Sequence, residues 1–261
     1  MKIYISADIE GITGISTWQE SDFAAPKEAR DKMTAEVRVA CEAAFEAGAT
    51  EIVVKDAHGY GKNIQHENLP QGVRLISGWS NHPYNMVEGI DNTYDGVIFL
   101  GYHSKAGTHT SPLAHTLDRK IVAISINDEI SSEFSIYAQL TSILEIPIVA
   151  VTGDGGIIRD VNRFDNNIET VAVKEGFSGA MISSHPHTTH NVIKQAVKKG
   201  IQKIGTYSFN APSNYKMEVT FLNHKDAYKY SFYPGAQQIN SHTVAIESTN
   251  YFDILTFLVF I

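Results

Sequence analysis

Hydrophobic and polar positions alternate along this chain in short blocks. Lys2 to Ala7 is a β-rich run that stops at Asp8. Pro26 then stands where the first turn of a helix tolerates proline. Met33, Val37, Ala40, Cys41 and Ala44 recur at helical spacing, and Gly48 closes the segment as a C-terminal cap does. Glu51 to Lys55, Asp95 to Gly101, Ile121 to Ile126 and Ile146 to Val151 predict further strands, with Pro147 tolerated only at the beginning of its run. Val73 to Ile76 and Thr170 to Val173 predict two shorter ones. Helices are predicted around Asn85 to Glu88, over Ser132 to Leu144, and from about Thr188 to Lys199, ending at Gly200. This alternation predicts an α/β fold, a mostly parallel open sheet flanked by helices. Beyond Gly200, Met217 to Leu222 and Thr243 to Glu247 alternate like half-exposed strands. They predict a smaller C-terminal α+β domain, with the division expected between 1–190 and 191–261.

Composition narrows the function classes. With 261 residues the chain is long enough for a substantial core, and its formal net charge of −8 argues against non-specific nucleic-acid binding, which needs a basic face. The single cysteine, Cys41, can form neither an internal disulfide nor a Cys-rich zinc knuckle, and its helical setting makes it a small core residue. Met1 to Glu10 lacks the apolar core of a signal peptide, since Asp8 and Glu10 interrupt it. The apolar tail, Ile254 to Ile261, is far shorter than the roughly 20 residues that span a bilayer. A buried terminal helix or strand, or a subunit contact, is its expected role. A cytoplasmic protein without membrane or nucleic-acid partner is expected.

Candidate chemistry gathers at the ends of the predicted strands. Asp8 and Glu10 are two residues apart, so in extended backbone both carboxylates face one side, and Gly11 lets the chain turn away. His58 follows the next strong strand, His103 follows Asp95 to Gly101, and Glu133 lies just past Ile121 to Ile126. Ligands of open α/β sheets bind beyond the carboxyl ends of the strands, so these five side chains are expected to meet at one rim of one sheet. Each alone also fits an ordinary role as turn, cap or helix-dipole residue. Together, two imidazoles and three carboxylates suit zinc or manganese. Five ligands exceed the three of a mononuclear catalytic zinc and suit two metals sharing a bridging carboxylate, for which Asp8 is the best placed, and a water.

His115, in the segment Gly107 to Asp118, is a candidate proton donor or oxyanion partner, and His109 is its weaker competitor. His185, His187 and His190 precede a helix and are expected to face water. Asp154, within Gly153 to Gly156, is expected on the crevice rim, without any full phosphate-loop pattern. No GxSxG elbow or HExxH helix is present.

These segments resemble the D-aminopeptidase family first described as a dipeptide transport protein of Bacillus-type bacteria. The resemblance is carried by SADIEG (Ser6 to Gly11), the R-x-x-M-T-x-E pattern of Arg30 to Glu36, and EAGATEIVVKDAHG (Glu46 to Gly59). It continues through MVEGID (Met86 to Asp91), FLGYHSKAGT (Phe99 to Thr108), His115-Thr116, Ser132-Glu133, VTGD (Val151 to Asp154) and VKEG (Val173 to Gly176). It is specific over roughly the first 175 residues and loose in the C-terminal third. It implies a zinc-dependent peptidase with two zinc ions per subunit, held by Asp8, Glu10, His58, His103 and Glu133, with His115 at the catalytic position. It further implies cleavage of N-terminal D-residues, typically D-Ala, from short peptides by a metal-activated water. Homo-oligomers, commonly decamers of stacked pentameric rings with active sites facing an internal chamber, are also implied. Asn127-Asp128 stands where Asn-Gly is more usual, and Gly155 replaces an acidic residue, which puts substrate choice rather than metal binding in question. The same ligands would serve another binuclear amide or phosphoester hydrolase, and a non-catalytic peptide-binding protein is the remaining alternative.

Overall fold

A computed structural model describes residues 1–261. In chain order the elements are β1 (Lys2–Ala7), α1 (Lys27–Glu46), β2 (Glu51–Asp56), β3 (Val73–Ile76), β4 (Gly96–Tyr102), β5 (Ile121–Ile126) and β6 (Glu129–Ile130). There follow α2 (Glu133–Ile143), β7 (Ile148–Asp154), α3 (Gly155–Phe164), β8 (Glu169–Phe177), β9 (Ala180–Ser183) and α4 (Pro186–Gln202). The chain ends with β10 (Tyr215–Phe221), α5 (His224–Tyr230), β11 (Gln237–Gln238), β12 (Thr243–Ser248) and α6 (Tyr251–Phe260).

A seven-stranded sheet runs in the order β3-β2-β1-β4-β7-β8-β9, parallel except for the last strand. The chain leaves β1 in one direction to build β2 and β3, and later builds β4, β7 and β8 on its other side. The sheet's topological switch therefore lies between β1 and β4, where α/β folds open a crevice. Period-two side chains bury both faces. Ile3 and Ile5 of β1 pack with Val37, Cys41 and Val197 of α1 and α4, whereas Tyr4 joins Phe99, Phe134 and Tyr137 on the other face.

That other face carries a second, antiparallel sheet, ordered β11-β12-β10-β5-β6, with α6 packed on β12 and β10. In β10, Tyr215, Met217, Val219 and Phe221 are buried while the residues between them are half-exposed, which is the alternation the sequence predicts. The tail is a helix, α6, with Ile254, Leu255, Phe257 and Leu258 buried.

Two expectations change. Ile121 to Ile126 does not join the parallel sheet: β5 pairs antiparallel with β10, and Glu133 stands past the β5–β6 hairpin at the start of α2, which packs on β4 and α3. An apolar run reports burial, not the identity of its partner, and IVAISI carried no sign of which sheet it enters. The expected division at residue 190 falls inside α4, which packs on α1, β7 and β8 of the large sheet, while the second sheet takes β5 and β6 as well as the C-terminal strands.

Candidate metal centre

The crevice is built where two strand ends pass one another without side chains between them. Gly11 donates its N–H to Gly101 O at 2.7 Å, and a Cβ on Gly11 would collide with the backbone of Gly101 and Tyr102. Gly101 itself has φ +72°, a left-handed conformation that glycine adopts without strain, and a Cβ there would strike Asp8 O. These close approaches bring the ends of β1 and β4 together and let their next residues turn toward one point.

Asp8 and Glu10 follow β1, His58 follows β2, His103 follows β4, and Glu133 is the first residue of α2, whose N-cap Ser132 shares a capping box with Ser135. All five are buried. His58 Nδ1 lies 3.2 Å from Asp8 Oδ1 and 2.9 Å from Glu10 Oε2. His103 Nε2 lies 3.4 Å from Asp8 Oδ2 and 3.1 Å from Glu133 Oε2. His115 stacks flat on His103 with centroids 4.2 Å apart, and its Nε2 is 3.7 Å from Glu133 Oε1. Donor atoms of Asp8, Glu10 and His103 lie within 4.8 Å of one another, as do those of His103, His115 and Glu133. The structure thus brings together all five residues singled out in the sequence, and His115 with them. Asp8 and Glu133 both face His103 Nε2, one from the end of β1 and the other from the start of α2.

Each imidazole is oriented from outside. His58 Nε2 faces Asp22 O at 3.4 Å, His103 Nδ1 faces Ser104 O at 3.0 Å, and His115 Nδ1 faces Leu113 O at 2.9 Å. A carbonyl only accepts, so these ring nitrogens carry the proton. In the neutral ring the opposite nitrogen, the one aimed into the cluster, then holds a lone pair, the arrangement by which proteins present histidine to a metal.

The electrostatics point the same way. Burial and the neighbouring Glu10 push Asp8 up to about 8. Burial works against ionisation of Glu10, but His58 beside it outweighs that and holds its carboxyl well below the usual range. Burial would depress His103, yet Glu133 and Asp8 raise it to about 10, and Glu10 and Asp8 raise His58 likewise. Positive charge is drawn to this cluster, and a proton and a metal cation compete for it. His115 moves oppositely: burial and the adjacent His103 lower it. Asp8 Oδ2 and Glu10 Oε2 are buried without a hydrogen-bond partner. Buried carboxylate oxygens without donors are costly, and a cation is the partner that relieves them. The donor set therefore fits zinc.

A cleft of about 270 Å³ opens onto this cluster, with Trp18, Trp79, Leu117 and Arg119 in its walls. Trp18 meets His115 edge-on at 5.2 Å between centroids, and Leu117 N donates to Glu133 Oε1 at 2.7 Å. None of these four residues was singled out in the sequence. One signal was available: the chain has two tryptophans, and both line the cleft.

The other candidates stand apart. His109 is exposed and its carbonyl accepts from Ser178 N, so it does not compete with His115. His185 caps the N-terminus of α4, and it and His187 are exposed, with His190 half-buried. Asp154 is not on the crevice rim. It is fully buried, caps α3 by accepting from Ile157 N, and also accepts from Ser104 N and Oγ at 2.9 and 2.6 Å. Asn127 and Asp128 both adopt positive φ at the exposed tip of the β5–β6 hairpin, away from the cleft walls. Gly155 is buried where any Cβ would collide with the Glu175 carboxylate.

This cluster at the switch point of a mostly parallel sheet defines the candidate metal centre of an α/β protein. The family model described as peptidase M55, D-aminopeptidase, matches residues 1–260, and the chain belongs to that family of peptidases. It is 29% identical over 251 residues to a D-aminopeptidase of Bacillus subtilis strain 168, covering 95% of this chain and 90% of that one. It is also similar to the solved structure described as the zinc-dependent D-aminopeptidase DppA from Bacillus subtilis, a self-compartmentalizing protease. That match has a TM-score of 0.94 and 27% identity, covering 100% of this chain and 96% of the other.

Proposed function

We propose that this protein is a zinc-dependent D-aminopeptidase that removes N-terminal D-residues of the D-Ala type from short peptides. The observation that carries the reading is the buried convergence of Asp8, Glu10, His58, His103 and Glu133 beneath a cleft, with His115 beside them. Those five side chains would hold two zinc ions, and Asp8 presents one oxygen toward His58 and the other toward His103. When bound, the metal pair supplies Lewis acidity, lowering the pKa of a water and polarising the scissile carbonyl.

The chain's own contribution is proton movement and orientation. His115 donates Nδ1–H to Leu113 O, so its Nε2 is an acceptor facing Glu133 and the cleft. Its lowered pKa keeps it neutral and able to take the proton of the attacking water, then return it to the leaving amine. Stacking on His103 and the edge of Trp18 fix the ring plane. The substrate's ammonium group docks on the acidic wall, to which Asp22 and Asp118 contribute. The subunit works in a cytoplasmic homo-oligomer, a decamer of stacked pentamers whose internal chamber admits only small peptides.

Metal content per chain, measured with turnover of D-Ala-D-Ala and L-Ala-L-Ala, tests this reading. Zinc is expected at two per chain, with the D-dipeptide preferred and activity lost on chelation. Asp8→Ala is expected to lose metal and hydrolysis together. His115→Ala is expected to keep the metal while turnover falls by about 10²-fold or more. Full activity in either variant, or in metal-free protein, refutes the assignment.

A further inference from the structure

We infer that Arg119 receives the C-terminal carboxylate of the peptide, making the site selective for very short substrates with a free carboxylate just beyond the scissile bond. The inference rests on the aminopeptidase reading and adds to it the feature of the substrate that sets its length.

Beyond the five metal-ligand candidates the cleft wall is acidic: Asp22 and Asp118 line it, and Arg119 is its one cationic side chain other than histidine. A free dipeptide carries an ammonium group at one end and a carboxylate at the other, with the scissile bond between. Carboxylate walls attract the first and repel the second, so a substrate with both ends charged needs a cation on its leaving side. Arg119 is placed to supply it. Its guanidinium lies 4.9 Å from the Trp18 ring centroid, and Trp18 in turn contacts His115. Two residues earlier, Leu117 is fixed by its N–H to Glu133, with φ +63°, a conformation that a leucine adopts only when its surroundings hold it there. The segment bearing Arg119 is thereby referenced at both ends to groups of the reaction centre.

The head group is also free to act. Arg74, Arg159 and Arg163 each pair with a carboxylate of the protein, whereas Arg119 pairs with none and has only the face of Trp18 beneath it. A guanidinium resting over an indole keeps N–H groups available, and their fork matches the two oxygens of a carboxylate.

The test compares D-Ala-D-Ala with D-Ala-D-Ala amide, which differs only in lacking the terminal charge. Wild-type enzyme is expected to prefer the acid. Arg119→Met is expected to raise KM for the acid about tenfold with little change in kcat, and to leave KM for the amide unaltered. Arg119→Lys, which keeps the charge but loses the fork, is expected to fall between. Calorimetric titration of D-Ala-D-Ala into His115→Ala protein, with and without Arg119→Met, reads the same loss as a Kd without turnover. Because the side chain is exposed, metal content and melting temperature are expected to stay at wild-type values. Equal loss for acid and amide, or no loss for either, overturns the inference and leaves the aminopeptidase reading standing. Wild-type protein inert toward both substrates overturns both.

Discussion

Asp154 shows how one buried side chain governs the site without entering it. It accepts hydrogen bonds from Ser104 N, Ser104 Oγ and Ile157 N, and Ser104 O in turn accepts from His103 Nδ1. The aspartate thus fixes the carbonyl that sets the tautomer of His103. Asp154→Ala is expected to destabilise the fold by about 2–4 kcal/mol, since it removes a helix cap and strands buried donors, and thermal or urea unfolding measures it. An unchanged unfolding midpoint would show the aspartate to be dispensable. At this scale the sequence was informative about the ligands, because a carboxylate or imidazole directly after a β-rich run is visible in one dimension. His115 was legible as the stronger candidate and His109 as the weaker, but the geometry that separates them was not. Both lie in one Thr- and Ser-rich loop, and only the loop's path turns one inward and the other to solvent. Trp18 and Arg119 were invisible for a related reason: they meet through space, about a hundred residues apart in the chain.

Among the elements, the segment joining β1 to α1 depends most on distant help. Lys174 of β8 is buried and donates to three of its carbonyls, those of Glu10, Ile12 and Ile15, the last two at 2.9 and 2.6 Å. Glu36 of α1, also buried, accepts from Thr13 N at 3.0 Å. Two buried charges therefore clamp the loop that carries Glu10 and leads to Trp18. Lys174→Met nearly matches the length of the side chain but removes the Nζ donor from all three carbonyls, of which Ile12 O keeps the N–H of Ile15. It is expected to cost about 2–4 kcal/mol and to weaken zinc binding, read by equilibrium unfolding and by competition with a chelator. Wild-type stability and affinity in that variant would refute the clamp. Both residues sit in motifs noted in the sequence, Glu36 in the R-x-x-M-T-x-E pattern and Lys174 in VKEG, yet their meeting requires the fold. The long elements were legible because α1, β1, β2 and β4 have clear periods. Helix α3 was not, because it opens on Gly155-Gly156, poor helix formers that Asp154 compensates by capping and that the crowding at these positions demands.

For the molecule as a whole, the apolar side chains left at the surface carry the argument for assembly. Leu222, Tyr228 and Phe232 surround α5 and are each more than half exposed, and the rings of the latter two pack on one another at 5.1 Å. Apolar groups clustered like this are typical of a face covered by another chain. Light scattering is expected to give a native mass that is a multiple of the single chain, and Leu222→Lys with Phe232→Lys is expected to lower it. A monomeric wild-type protein would count against the proposed ring. The α/β class was readable from the alternation of strands and helices, whereas the two-layer plan was not. Nothing in IVAISI announces that β5 leaves the parallel sheet to pair with β10.

That crossing has a mechanical meaning. Asp8, Glu10, His58 and His103 belong to the large sheet, and Glu133 is contributed by the helix that follows the β5–β6 hairpin of the small one. A cation held by all five would pin the start of α2 to the ends of β1, β2 and β4. The seating of α2 against the large sheet and the grip on the ion would then be a single equilibrium, so whatever loosens α2 from β4 would also loosen the metal.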